Sequence, residues 1–182
     1  YTAMHIAAQY NQIGTMKYLM ENGVPIDIQD KNGDTPLHIA AVYGKTDALR
    51  CLKERNADLK RQSENKGGYT PIHYAAQCGK IETMKYLLDN DVPIDIQNKN
   101  GHTPLHIAAM YGKTDALRCL KERNVDLELR SENQFGHTAM HIAARYGQIG
   151  IMEYLMDNDV PIDIQDKNGD TPLHTAAIYG KT

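Results

Sequence analysis

Two pairs of histidines stand four residues apart in this chain, His102 with His106 and His137 with His141. On a helix that spacing puts both rings on one side, where two imidazoles can share a metal ion. A zinc site needs more donors, and no second pair of ligands accompanies either doublet. The structural reading outweighs the metal or enzymatic one. His5, His38, His73, His106, His141 and His174 fill one position of a recurring segment. The position of His102 and His137 is held elsewhere by Asp34, Tyr69 and Asp170, so it carries no ligand requirement. Cys51 and Cys119 stand where the alternate segments have Tyr18, Tyr86 and Tyr154, and read as packing thiols. Cys78 replaces a tyrosine before a glycine and is expected to be partly exposed. Carboxylate pairs such as Asp89 with Asp91 or Asp157 with Asp159 read as solvated turn residues. No phosphate-binding glycine loop, nucleophile elbow or H-E-x-x-H is present. No catalytic residue, metal ligand or cofactor is expected, and the chain is not read as an enzyme.

The 182 residues carry 20 Lys+Arg against 23 Asp+Glu, a net charge of −3 that speaks against a nucleic-acid partner. No apolar run reaches the length of a membrane span, so no membrane insertion is expected. Three cysteines, an odd count without C-x-x-C spacing, suit a reducing compartment, cytoplasmic or nuclear. Eight histidines beside one phenylalanine are an odd balance, and repetition is the cause.

Six segments read alike, beginning at Thr2, Thr35, Thr70, Thr103, Thr138 and Thr171, with separations of 33, 35, 33, 35 and 33 residues. A fixed period in this range marks a solenoid of stacked repeats. A larger unit of 68 residues lies behind the alternation. Segment 35–69 equals 103–137 at 27 of 35 positions, and 2–34 equals 138–170 at 27 of 33.

Each unit is legible as elements. Thr35 is a good helix N-cap and Pro36 suits the first helical position. Leu37, Ile39, Ala40 and Ala41 follow on a short helix that Gly44 ends. The first repeat has Asn11 at that place, the other residue that visits the left-handed region readily. A second helix is expected over Ile13–Met20 or Thr46–Lys53, stopping at Gly23, Asn56, Asp91, Asn124 and Asp159. Alternating Ile26-Asp27-Ile28 and the turn Asp30 to Gly33 then form an extended finger.

With T-P-L-H-x-A motifs, a 33-residue period and a layout of two helices plus finger, the chain resembles the ankyrin repeat family. The resemblance implies an all-α repeat solenoid, a stack of helix-turn-helix units with β-hairpin-like fingers. One array fills 1–182, with repeats 2–34, 35–69, 70–102, 103–137 and 138–170 and a partial sixth, 171–182. The resemblance also implies that the motif histidines hydrogen-bond within their turn and to the next unit. Three departures stand out. The 35-residue units carry two extra residues at the finger tip, between Ser63 and Tyr69 and between Ser131 and His137, so alternate fingers should be longer. The finger asparagine that is hydroxylated in many members is replaced by Asp27, Lys60, Asp95, Glu128 and Asp163. No polar caps cover the ends, which suggests a piece of a longer array and self-association through uncapped ends.

In the ankyrin layout, finger tips and the outer side of the first helices line a concave groove. Candidate partner-binding residues mapped by motif are Lys31, Asp34 and Tyr43 in the first finger and second repeat. Tyr69, Gln77, Lys99, His102, Met110 and Tyr111 follow, then Phe135, His137, Arg145, Tyr146, Asp170 and Tyr179. Tyr10, Tyr43, Tyr111, Tyr146 and Tyr179 recur as a ladder of amphipathic residues. Of the eight differences between 35–69 and 103–137, seven fall in or beside the finger; the eighth is Val42 against Met110. Charge also drifts, from +1 over 2–69 to −1 over 70–137 and −3 over 138–182.

The expected function is a non-catalytic protein–protein interaction module that holds another protein in the groove. The alternative is a scaffold or spacer within a larger multidomain protein. Arrays of this family also occur in host-directed microbial effectors, so secretion stands beside the intracellular expectation.

Overall fold

A computed structural model describes residues 1–63 and 67–179. Lys66, with the middle of the first long finger, and Gly180 to Thr182 lie outside the described residues. Among the described residues every regular element is a helix, and all are short. The chain divides into two compact units, Tyr1–Pro93 and Ile94–Thr182.

The first unit holds α1 (Ala3–Gln9), α2 (Ile13–Glu21), α3 (Pro36–Val42), α4 (Thr46–Lys53), α5 (Pro71–Gln77) and α6 (Ile81–Leu88). The first helices of the repeats, α1, α3 and α5, lie side by side. The second helices α2, α4 and α6 form a layer behind them. Alanines make the close approach possible: Ala7, Ala8, Ala40, Ala41, Ala75 and Ala76 are all buried where neighbouring first helices meet. Met4, Met16, Leu49, Leu52, Ile72, Met84 and Leu87 fill the space between the layers. Truncating one of these to Ala costs about 2–5 kcal/mol by lost burial and the cavity left behind.

The second unit repeats the scheme with α7 (Pro104–Met110), α8 (Thr114–Lys121), α9 (Ala139–Tyr146), α10 (Ile149–Met156) and α11 (Pro172–Tyr179). Here α9 packs between α7 and α11, with α8 and α10 behind. Leu105, Ile107, Leu117, Leu120, Met140, Ile151 and Leu155 form its core. Cys51 and Cys119 are buried on α4 and α8, as packing thiols should be, and Cys78 is half-buried.

The helix boundaries follow the chemistry read from sequence. Thr2, Thr35, Thr70, Thr103 and Thr138 are extended N-caps, each closing a capping box in which the third helical residue is histidine. Asn11 ends its turn at φ 58°, the conformation Gly44 adopts at 68°. The second helices end at Gly23, Asn56, Asp91, Asn124 and Asp159, all with positive φ. The second helix of the first repeat runs one residue beyond the expected Met20.

The fingers depart from expectation. They contain no strand among the described residues, and are hairpin-like only at their closure. In the short fingers one backbone bond closes the loop, Asp30 N–H to the Asp34 carbonyl at 2.8 Å. Inside it, the Asp30 carboxylate accepts the N–H groups of Asn32 and Asp34. A loop wrapped around its own carboxylate has few backbone groups left to build a ladder. The long finger closes from Ser131 N–H to the His137 carbonyl at 2.9 Å, two residues later than its short counterparts. Asn133 takes over the inner role, its Oδ1 accepting from Phe135 and Gly136.

Candidate protein-interaction face

The motif histidines are structural bolts. In α3 the Nδ1 of His38 accepts from the Thr35 N–H at 3.1 Å and lies 2.9 Å from the Thr35 hydroxyl. Its Nε2 reaches the Arg61 carbonyl at 2.8 Å, which requires the Nε2–H tautomer. His106 repeats this with Thr103 and the Leu129 carbonyl. In the short repeats the acceptor moves: His5 bonds the Asp34 carbonyl and His141 the Asp170 carbonyl, both at 2.9 Å. In this structure both ring nitrogens of His106 and of His141 are engaged in hydrogen bonds within the protein. The rings of each doublet lie against one another, 5.9 Å apart for His102 and His106 and 5.5 Å for His137 and His141.

Those bolts hold the fingers against the first helices. Neighbouring fingers also bond directly: Glu132 N–H donates to the Gly101 carbonyl, and Lys167 N–H to the Phe135 carbonyl. The Lys167 ammonium donates to the Asn133 carbonyl at 3.1 Å. What the fingers present is therefore set by backbone, not by chance.

In the first unit, Lys31 and Tyr43 are exposed, while Tyr69 and Gln77 are half-buried. Asp34 is only 8% exposed. Its carboxylate accepts the Tyr74 hydroxyl at 2.8 Å, so it serves the fold and its placement on a partner-facing surface does not hold. Tyr74, standing where α3 and α7 have isoleucine, also meets Tyr69 at 5.2 Å. The signal for this tyrosine was present: it is the single polar substitution at that motif position before the final repeat.

In the second unit, Lys99, Tyr111, Phe135, Tyr146 and Tyr179 are exposed, and His102, Met110, Arg145 and Asp170 are half-buried. His137 is 7% exposed and forms a floor, not a contact surface. Phe135 stacks on it at 5.3 Å, and on its other side lies His141. Its Nε2 stands 3.4 Å from the buried Asp166 carboxylate. Asp166 was not singled out from sequence; the contrast with Asn98 at the same finger position was the available clue. The Arg145 guanidinium lies 3.9 Å over the Tyr179 ring and 5.8 Å from that of Tyr146.

Burial favours the neutral form of five of these histidines. Burial holds His106 down to about 3. Burial also lowers His38 and His141, against the raising effect of their carbonyl acceptors. His102 and His137 are lowered first by burial, then by a neighbouring histidine, with Arg145 adding to both.

Tyr43, Tyr111, Tyr146 and Tyr179, at the ends of four first helices, share nearly one exposure, 40–43%. A half-covered phenol offers a ring for packing and a hydroxyl for hydrogen bonding. Among the described residues no helix is long and apolar enough to cross a membrane.

Comparison with known proteins agrees with this geometry. The family model for ankyrin repeats (3 copies) matches residues 1–63, 59–131, 84–166 and 124–182, and the chain belongs to the ankyrin repeat family. It is similar to protein phosphatase 1 regulatory subunit 12A of Mus musculus, 39% identical over 59 residues. That match covers 32% of this chain and 6% of the relative. It is also similar to the NF-kappa-B inhibitor epsilon of Homo sapiens, 29% identical over 104 residues, 53% of this chain and 21% of that protein. A Caenorhabditis elegans homolog of the transient receptor potential cation channel subfamily A member 1 is 35% identical over 63 residues, 34% of this chain and 5% of the channel. The matches thus span only a small part of each relative. Ankyrin repeats are, as a class, protein-interaction modules.

Proposed function

We propose that this chain is a non-catalytic protein-binding module whose partner docks on the face formed by fingers and first helices. The observation that carries the reading is the even exposure of Tyr43, Tyr111 and Tyr146, each at the end of a first helix that is otherwise buried but for one half-buried residue. The bolted fingers order this face before a partner arrives, so little receptor entropy is lost on binding. A regulatory subunit and an inhibitor among the relatives support a role in controlling another protein. Three cysteines, an odd count without C-x-x-C spacing, support a cytoplasmic or nuclear setting.

Replacing Tyr111, Phe135 and Tyr146 together with Ala tests the face. Helical circular dichroism should be unchanged, while proteins retained by the immobilised chain and identified by mass spectrometry should be lost. Undiminished retention of the same proteins by the folded triple variant overturns the assignment.

A further inference from the structure

The two duplicated pairs of repeats differ at few positions, and three of those differences converge in the second unit. Phe135 stands where its duplicate has Gly67, His137 where it has Tyr69, and Arg145 where it has Gln9. The six repeats carry Gln9, Val42, Gln77, Met110, Arg145 and Ile178 at this helix position, so Arg145 is its single charge. Phe135 stacks on His137, and the Arg145 charge acts on both His137 and His102.

The guanidinium is held but not neutralised. Tyr179 lies under it and Tyr146 beside it, an arrangement that fixes its plane through cation–π attraction. Among the described residues no carboxylate forms an ion pair with Arg145. The nearby Asp166 is occupied elsewhere, accepting the N–H groups of Asn168 and Asp170 and facing His137. An oriented, half-exposed guanidinium with its carboxylate-binding edge unfilled is matched by a planar anion. Tyr179 beside it, and Phe135 on the finger of the same unit, are both exposed and are matched by an apolar side chain.

Resting on the interaction reading above, we propose that the second unit selects an acidic peptide segment, its carboxylate on Arg145 and an adjacent apolar residue against Phe135. Lys99 and Lys167, exposed on fingers of the same unit, add to the same sign of potential.

The test uses the whole chain and fluorescein-labelled, end-blocked peptides of alternating Glu and Phe with Gly spacers. Matched peptides carry Gln or Lys in place of Glu. Fluorescence anisotropy should show the Glu peptide binding at least about tenfold more tightly than the Gln peptide, with the Lys peptide weakest. Arg145→Gln, which restores the residue of the duplicate repeat and leaves the fold intact, should remove that preference. Raising salt from about 0.1 M to 0.5 M should weaken the Glu peptide alone. Equal binding of Glu and Gln peptides, an unchanged preference in Arg145→Gln, or no binding of the Glu peptide overturns the acidic selectivity. If the three peptides bind alike but the Tyr111, Phe135 and Tyr146 triple variant loses them, the docking face stands and only its acidic preference falls. If binding survives in that variant, the face itself is wrong.

Discussion

The Nε2–H of His106 donates to the Leu129 carbonyl at 3.0 Å while its Nδ1 accepts from Thr103, so the ring is useful only when neutral. Its folded-state value of about 3 lies below that of a free imidazole. The unfolded chain therefore binds the proton first. Stability is fully present above about pH 6.5 and declines as pH falls toward 3. His38 and His141 are displaced in the same direction and add to the effect. Each steepens the loss by up to about 1.4 kcal/mol per pH unit. Urea unfolding between pH 7.5 and about 5, above the range where carboxylates dominate, should show the midpoint falling. A flat midpoint across that window contradicts the neutral-bolt account.

Asn11 does two jobs. Besides its left-handed backbone, its Oδ1 accepts the Ala48 N–H in the first turn of α4 at 3.0 Å, and its Nδ2 reaches Asp47. Asn11→Ala loses both and should cost about 1–3 kcal/mol. Asn11→Gly keeps the backbone and loses only the cap, so it should cost less. Urea titration of the two variants gives the order; equal losses would mean that the side chain contributes nothing.

Gly101 closes the third finger at φ 72°, and a Cβ there would meet the Asn133 backbone nitrogen at 2.8 Å. Gly101→Ala combines left-handed strain of about 1–2 kcal/mol with a clash against immovable backbone. Its unfolding midpoint should drop more than that of Gly169→Ala, whose Cβ would enter open space at φ 85°.

Thiol labelling under native conditions should distinguish the cysteines. Cys78 is half-buried, whereas Cys51 and Cys119 are packed inside, and burial pushes the Cys51 thiol up. One equivalent of a thiol reagent should react quickly and two slowly. Three equal rates would contradict the packing.

Much of this was legible in the residues. Thr before Pro marked each helix start, and Gly, Asn or Asp marked each stop, because these are local backbone preferences. The buried side of Ala40 and Ala41 followed from periodicity. What stayed hidden depended on partners far along the chain. Asp34 looks like a surface residue until Tyr74, forty positions on, donates to it. His137 reads as exposed until Phe135 covers it. The finger pattern Ile26-Asp27-Ile28 suggested strand, but the Asp30 carboxylate captures the N–H groups that a ladder would use. Which face holds the partner belongs to the same class of question, since one strand of text does not reveal which charges end up unopposed.

The shift of the histidine acceptor between long and short repeats gives the array a grammar. His38 and His106 donate to Arg61 and Leu129, at the base of a long finger, whereas His5 and His141 donate to Asp34 and Asp170, where a short finger ends. A single repeat is thus not interchangeable with the one after it. Excising 35–69 alone would set two short-type units in succession and strip Asn90 of the Lys53 ammonium that donates to it from the unit before, the first repeat having Met20 in that place. Excising 35–102 would preserve the alternation. Lengthening or shortening such a chain without penalty is a matter of counting in twos.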